Sequence, residues 1–357
     1  MQNSKLVHTK MPKNKKNKSS KTDKSSTGLK NNESLQEIKS SDKIGSSFLS
    51  KLRRTLPEDK HDKLKKIWYC LTGKDGKRDT IDLWELRLLA LTPDGLLHPE
   101  IRKLAWPKLI GLVPSNEESK DHGSVSLKKH DLPYDERKTI QQDVGRTFWR
   151  LDEKSKRKIA NGNHDKFTSE DILESTIVKA LVECPTQLHY YQGYHDIASL
   201  LLLNTHSSTL TSSILSQISS YHFEDYMQEH FKCTMSLLQI GLWVLLGEKE
   251  EDLLVHLLNS GMQLHGFTLS WVIGWFSHDI KDFVIASRII DVCLVSHPAM
   301  PVYLSATLLL FPRNMEMIMD TECDIASLHC TIKSLPKLML ADEEDIEEWI
   351  ESALELM

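Results

Sequence analysis

Residues 187–204 read Gln-Leu-His-Tyr-Tyr-Gln-Gly-Tyr-His-Asp-Ile-Ala-Ser-Leu-Leu-Leu-Leu-Asn. The first half of this stretch is aromatic and polar, whereas the second half carries apolar side chains on every side of a helix. A helix that is apolar all round belongs in the interior of a fold, because none of its faces can be left in water. The stretch therefore predicts a central helix that is covered by other elements.

The segments around this stretch show the spacing of amphipathic helices, with apolar residues three and four positions apart. Further helices are predicted over 81–91, 99–107, 139–151, 172–184, 211–219, 234–247, 251–259, 270–276, 283–294, 302–311, 324–334 and 342–357. The 15 glycines and 12 prolines are fewer than a chain of this length ordinarily has, which disfavours a turn-rich β-sandwich. The sequence predicts an all-α fold.

Two of these predicted helices have features that bear on their geometry. A second proline, Pro107, follows Pro99, and we expect it to kink or end that helix. In the helix over 139–151, Ile140 begins an apolar stripe. At about 100° per residue, Arg146 lies roughly 120° around the helix from Ile140 and should face outward at the edge of that stripe.

Charge divides the chain into two unlike parts. Residues 1–66 contain 18 Lys and Arg against 7 Asp and Glu, a net charge of +11, whereas the remainder has a net charge of −16. The basic part has few large apolar residues, so it cannot bury enough surface to offset the entropy of ordering. We expect a disordered Lys/Ser/Asn-rich tail over 1–47, followed by amphipathic helices over 48–84.

Several classes of protein are disfavoured by the same sequence. No window of 18 apolar residues is present, and no apolar core follows Lys5 and Lys10, so neither a membrane span nor a secretory signal is expected and the chain should be cytoplasmic. The six cysteines form no CxxC pair, which favours free thiols. Cys323, His329 and Cys330 lack a fourth ligand at suitable spacing, so no metal site is predicted.

The common motifs of nucleotide and hydrolase chemistry are also missing. The segment 73–77, Gly-Lys-Asp-Gly-Lys, is the nearest approach to a phosphate-binding loop and does not match its GxxxxGK[ST] pattern. GxGxxG, HExxH and GxSxG do not occur. The chain therefore has no motif for binding a nucleotide of its own.

Three short stretches contain polar residues within segments that are otherwise largely apolar and predicted to be helical. They are Arg102 with Trp106, then 140–147, then 190–193. Taken singly, each has a structural interpretation, such as a solvated arginine, a local salt bridge or a packing glycine. Taken together, the order R-x-x-x-W, I-x-x-D-x-x-R-T and Y-x-Q-G resembles the TBC domain of Rab GTPase-activating proteins.

The resemblance covers about residues 85–335 and implies a two-lobed helical TBC domain there. Beyond it, eight carboxylates within 342–357 and the apolar spacing of Ile346, Trp349, Ile350 and Ala353 predict an acidic C-terminal helix in the segment 336–357. The segment 287–291, with its R-x-x-D spacing, also resembles the family. Three segments are similar in sequence to one subgroup of the family, the member twenty type. They are residues 187–196, His-Pro-Ala-Met-Pro at 297–301 and Cys-Asp-Ile-Ala-Ser at 323–327. That similarity implies a Rab of ER-to-Golgi traffic and a place at the cytosolic face of ER or Golgi membranes.

The resemblance also implies a mechanism with two side chains supplied in trans to a GTP-bound Rab. Arg146 matches the arginine finger of the family, and a guanidinium neutralises charge on the transferring phosphoryl group. Gln192 matches the glutamine finger, and a side-chain amide both accepts from and donates to the attacking water. No cofactor of the chain's own is implied, because GTP and Mg²⁺ belong to the partner.

The remaining motif residues are expected to support these two. Asp143, one turn before Arg146 and Thr147, is placed to fix the arginine by a charge-assisted hydrogen bond. Tyr190 would hold the loop that carries Gln192, and Gly193 would permit close approach of the partner's backbone. The further supporting residues, expected to be framework around the site, are Arg102 and Trp106.

The sequence departs from the family at three points. Tyr194-His195-Asp196 stands where most members have Met-Asn after the glycine, and we interpret His195 as a hydrogen-bonded structural residue rather than a base. Gly145 weakens the predicted helix by about 1 kcal/mol. The subgroup has a C-terminal membrane helix, whereas this chain ends at Met357 without one, which suggests a truncated or variant form or another means of recruitment.

Two alternatives stay open at this point. A TBC fold that grips a Rab without accelerating hydrolysis would be a scaffold, although intact Arg, Asp, Gln and Tyr positions argue against it. The Lys-rich tail would suit nucleic acid, but the run over 10–21 has no aromatic residues for base stacking. We therefore expect no nucleic-acid partner, and either a solvated tail or weak attraction to anionic membrane.

Overall fold

The computed structural model describes residues 47–73, 81–112, 132–147, 169–339 and 343–357, and these ranges contain helices and no strand. The all-α prediction is confirmed. After a helical segment over 47–53 and a 3₁₀ turn at Glu58–Lys60, the helices are α1 His61–Thr72, α2 Leu83–Leu91, α3 Pro99–Leu109, α4 Tyr134–Val144, α5 Glu170–Glu183, α6 Tyr194–Thr205, α7 Ser208–Ser219, α8 Lys232–Lys249, α9 Glu251–Asn259, α10 His265–Ile273, α11 Phe283–Val295, α12 Met300–Leu310, α13 Pro312–Met319, α14 Ile325–Leu338 and α15 Glu343–Leu356. The predicted basic tail lies outside the described residues, apart from its last position.

The helices fall into two packing groups, in agreement with the two-lobed expectation. Helices α1–α7 pack mainly on one another, and α8–α10 and α12–α15 form a second group whose members pack mainly on one another. Helix α11 belongs to both groups, because it packs on α2, α3 and α6 and also on α12. The R-x-x-D segment of the sequence lies on this shared helix.

Helix α6 is the buried helix that the sequence predicts at the centre. All of its residues from Tyr194 to Thr205 are buried, and α3, α4, α5, α7 and α11 pack around it. The polar aromatic residues before it form a loop instead of helix. This loop carries the predicted glutamine finger, so a rigid central helix directly follows the candidate site.

The prediction that Arg146 lies within a helix is wrong. Helix α4 ends at Val144, and Gly145 to Thr147 form a turn in which the Arg146 amide donates to the Asp143 carbonyl at 3.1 Å. Gly145 is therefore the C-terminal cap, where its low helix propensity costs little. The predicted stripe positions beyond Thr147 lie outside the described residues.

Pro107 does not end its helix, so that alternative is wrong. Helix α3 continues past it to Leu109, and both Trp106 and Leu109 are buried. The proline removes one backbone donor. Buried contacts on both sides of it hold the last turn in helical form.

The predicted acidic amphipathic helix is present as α15. Ile346, Trp349, Ile350 and Ala353 form its buried face, as their spacing indicated. Trp349 Nε1 donates to the Leu304 carbonyl at 2.9 Å, which fixes α15 to α12. No helix in the described ranges is long and apolar enough to cross a membrane.

Candidate functional site

Arg146 is presented to solvent by the turn after α4. Its side chain is 62% exposed, yet it is tethered at two points. Nε donates to the Gln142 carbonyl at 3.1 Å, and Nη2 lies 3.5 Å from Asp143 Oδ1. The guanidinium is thus outward-facing and partly preorganised, with most of its donors available to a partner.

Asp143 is the buried residue behind this arginine. Its side chain is only 7% exposed, and Tyr190 Oη donates to its Oδ2 at 3.1 Å. Thr147 Oγ1 donates to its backbone carbonyl at 3.1 Å. The carboxylate therefore contacts both the turn of Arg146 and the loop of Gln192, which joins the second and third sequence motifs in space.

The loop before α6 exposes Gln192 by burying its neighbours. The adjacent Tyr191 is buried, and its hydroxyl donates to the Ile273 carbonyl at 2.8 Å. Edge-on ring contacts surround Tyr191, among them Phe223 at 6.4 Å between centroids. Because Tyr191 is fixed inward, Gln192 is left on the surface.

Gly193 closes this loop with a backbone that favours glycine. Its φ is +114°, a region that L side chains rarely adopt. A Cβ there would have room, since the nearest atom, on Tyr191, would be 3.8 Å away. In the chain itself, the glycine is needed for the turn into α6; close approach of a partner stays a prediction.

Glu136, in the first turn of α4, is a site residue that the sequence analysis missed. Its carboxylate accepts the backbone N–H of Tyr190, 54 positions away. Together with the Tyr190–Asp143 bond, this contact ties the Gln192 loop to both ends of α4. A single glutamate in a helix gives no sequence signal for such a contact.

Tyr190 serves as a neutral hydrogen-bond donor. Burial raises the pKa of its hydroxyl far above the ordinary value, and the neighbouring Asp143 carboxylate raises it further. A phenol with a raised pKa keeps its proton at alkaline pH values where an ordinary tyrosine would lose it. The donor that links the two parts of the site is therefore not lost as the pH rises.

Arg102 and Trp106 belong to a second, fully buried group centred on Asp291. Arg102 Nη2 donates to Asp291 Oδ2 at 2.9 Å, and Trp106 Nε1 donates to Oδ1 at 2.8 Å. The Leu96 amide adds a third donor at 3.0 Å. The structure thus brings the first motif together with the R-x-x-D segment on α11, as framework between α3 and α11.

Arg288, the other charged residue of that segment, fastens three elements together. Its guanidinium donates to the carbonyls of Ala90 and Leu91 at the end of α2, at 2.8 and 3.0 Å. It also pairs with Glu347 of α15 at 2.9 Å. Asp291 and Arg288 were visible in the R-x-x-D pattern, but their partners lie too far along the chain to be read from it.

Gly95 offers a test of this framework. Its φ is +52°, and an added Cβ would lie 2.5 Å from Asp291 Oδ2. We expect Gly95→Ala to destabilise the chain by about 1–3 kcal/mol, from backbone strain and displacement of the carboxylate. Gly266→Ala is the control, because nothing lies within 4 Å of its Cβ position, and it should not lower stability. Urea unfolding of both variants checks this, and equal midpoints would contradict it.

Comparison with known proteins decides the family. The model of the Rab-GTPase-TBC domain matches residues 99–319, which include the arginine turn, the Gln192 loop and the framework. The chain belongs to this family. Membership of this family explains both the motifs in the sequence and the helical architecture of the structure.

The relatives lie within the same family. The chain is 31% identical to human TBC1 domain family member 20 over 72% of its own length and 60% of that protein's. It is 29% identical to the GTPase-activating protein gyp10 of Schizosaccharomyces pombe, over 68% of this chain and 61% of that one. The chain thus spans about three fifths of the length of these relatives.

Solved structures share the fold. The Ypt/Rab-GAP domain of Gyp1p superposes with a TM-score of 0.56 at 16% identity, over 82% of this chain and 97% of that one. A Chlamydomonas flagellar RabGAP TBC domain superposes with a TM-score of 0.54 at 14% identity, over 89% and 94%. At such identities the likeness concerns architecture alone.

Proposed function

We propose that this protein is a GTPase-activating protein for a Rab-family GTPase and that it acts through Arg146 and Gln192. The observation that supports this most is the shared anchoring of the two side chains. Each is exposed, and the residues that hold them meet in the Tyr190–Asp143 hydrogen bond. Membership of the Rab-GTPase-TBC family supplies the class of partner.

The proposed chemistry takes place on the GTP of the bound Rab, whose Mg²⁺ stays with that partner. Arg146 inserts its guanidinium against the β- and γ-phosphate oxygens, where negative charge accumulates in the transition state. An arginine supplied in trans contributes about 10³–10⁵ in rate for GTPases of this kind. The carbonyl oxygen of Gln192 accepts from the attacking water, which the amide thereby orients toward the γ-phosphorus.

The identity of the Rab determines the step of vesicle transport in which the protein acts. Similarity to the member twenty subgroup supports a Rab of ER-to-Golgi transport, and hence action at the cytosolic face of those membranes. Weak attraction of the basic tail over 1–47 to anionic membrane would assist that placement. Co-sedimentation with phosphatidylserine vesicles tests this last point, and equal binding with and without residues 1–45 would refute it.

A panel of purified Rabs tests the proposed function. Each Rab is loaded with GTP, and its single-turnover hydrolysis is followed with and without excess chain. We expect a small set that includes ER-to-Golgi Rabs to be accelerated strongly, while the others stay at their intrinsic rates. The alternative, a Rab-binding scaffold of little catalytic power, would appear as saturable binding of a GTP-bound Rab with no acceleration.

A further inference from the structure

His195 and Asp196 are buried titratable residues to which the proposed chemistry gives no part. Their side chains are 2% and 5% exposed, at the start of α6 and just after Gln192. Burying polar groups in such positions is costly unless they make compensating contacts. Their contacts lead directly to the candidate site.

The ring of His195 contacts both residues that flank Tyr191 and Gln192. Nδ1 lies 2.9 Å from the Tyr190 hydroxyl oxygen and 3.3 Å from the Gly193 amide nitrogen. Nδ1 donates to the Tyr190 oxygen in one tautomer, because the Tyr190 proton goes to Asp143, and accepts from the Gly193 N–H in the other. In both tautomers the same ring nitrogen faces both ends of the exposed segment. The ring therefore spans the base of the loop that presents Gln192.

The other side of the ring leads away from the site. Nε2 lies 3.5 Å from Asp196 Oδ1, and Asp196 Oδ2 lies 3.2 Å from His278 Nδ1, in the turn after α10. Ile273, the last residue of α10, accepts a hydrogen bond from the Tyr191 hydroxyl at its carbonyl. The Gln192 loop and the start of α6 are thus supported at two points, by the end of α10 and by the turn after it.

The contacts form a continuous polar path with Arg146 at its outer end. Arg146 contacts Asp143, Asp143 accepts from Tyr190, and Tyr190 contacts His195. His195 Nδ1 also lies 3.8 Å from Asp143 Oδ2. One buried ring is therefore in contact with the anchors of both exposed side chains.

We propose that His195 is a positioning residue, which fixes Gln192 through Tyr190 and Gly193 and fixes Arg146 through Tyr190 and Asp143. This inference rests on the proposed function for its catalytic consequence. Loss of the ring leaves the docking surface for the Rab in place but lets both side chains leave their productive geometry. Misplacement by about 1 Å is enough to cost on the order of 10²-fold in rate.

Three substitutions of His195 distinguish a positioning role of its nitrogens from a role of its side-chain volume in packing. His195→Leu removes both nitrogens and retains apolar volume. His195→Asn keeps a polar atom near the Nδ1 position, which faces Tyr190 and Gly193, whereas His195→Gln keeps one near Nε2. His265→Leu is the matched control, because its half-buried ring pairs with Gln239 of α8 instead.

The first measurement is single-turnover hydrolysis by a Rab that the wild-type chain accelerates. We expect His195→Leu and His195→Gln to lower the rate at saturating chain by about 10–100-fold, with little change in the half-saturating concentration. His195→Asn should recover much of the rate, and His265→Leu should behave as wild type. An unchanged saturating rate in a folded His195→Leu chain would overturn the inference and leave the proposed function standing.

A second measurement does not need activity. Hydrogen exchange of the free chain reports the order of the Tyr190–Gly193 amides directly. We expect His195→Leu to speed exchange there by about tenfold or more, His195→Asn to restore protection, and α12 to be unaffected. Unchanged exchange in this loop would overturn the inference even if no Rab were found that the chain accelerates.

Discussion

Arg146→Ala should lower the chain-stimulated rate of GTP hydrolysis by about 10³-fold or more, because it removes the only charge delivered to the transferring phosphoryl group in the proposed mechanism. The side chain is 62% exposed and contributes no buried packing. Stability should therefore be close to wild type, and so should binding of the GTP-bound Rab. Single-turnover kinetics, with affinity measured separately, checks both statements.

Two control variants sharpen the test. Arg146→Lys keeps the positive charge but loses the planar fork of donors, so most of the acceleration should still be lost. Arg137→Ala removes an exposed arginine from the same helix, α4, and should leave the rate unchanged. Hydrolysis by Arg146→Ala at the wild-type rate would show that Arg146 is not the arginine finger.

The second large effect is expected on stability. Asp291→Ala leaves the buried guanidinium of Arg102 and the indole N–H of Trp106 without their shared acceptor. Removing one partner of a buried ion pair costs about 3–5 kcal/mol, since the other charge stays buried without compensation. We expect a much lower urea midpoint, together with loss of the contact between α3 and α11.

The control for this variant lies on the same helix. Asp282 caps the N-terminus of α11 by accepting from the Val284 and Ile285 amides, at the edge of the protein. Loss of such a cap costs about 1 kcal/mol, so Asp282→Ala should shift the midpoint far less. Equal shifts for the two variants would mean that Asp291 is not the centre of the framework.

Elements that depend on local pattern were predictable from the sequence. Helix α9 occupies the predicted residues Glu251–Asn259, and the apolar spacing in α15 identified its buried face. The largely apolar run after residue 196 identified α6 as central. In each case the periodicity of side chains within one segment carries the information.

Features that depend on distant partners were not predictable. The path of the chain at Arg146 is set by Gly145 and by turn hydrogen bonds that replace the predicted helix. The acceptor of Arg102 lies 189 positions away along the chain, and Glu136 contacts Tyr190 although the two are 54 positions apart. No spacing rule connects such residues, so only the fold reveals which polar groups share a site.

In the proposed function Gln192 orients the attacking water, a role that a glutamine of the GTPase itself has in the absence of an activator. The central proposal is that Gln192 takes over this role from the Rab's glutamine. Its most direct test is single-turnover hydrolysis by a Rab in which that glutamine is changed to alanine, with wild-type chain or Gln192→Ala. We expect the wild-type chain to accelerate this Rab nearly as well as the unmodified one, and Gln192→Ala to lose most of the acceleration of both. The proposal would be contradicted if the wild-type chain failed to accelerate the Rab without its glutamine, while the Gln192→Ala chain still accelerated the unmodified Rab.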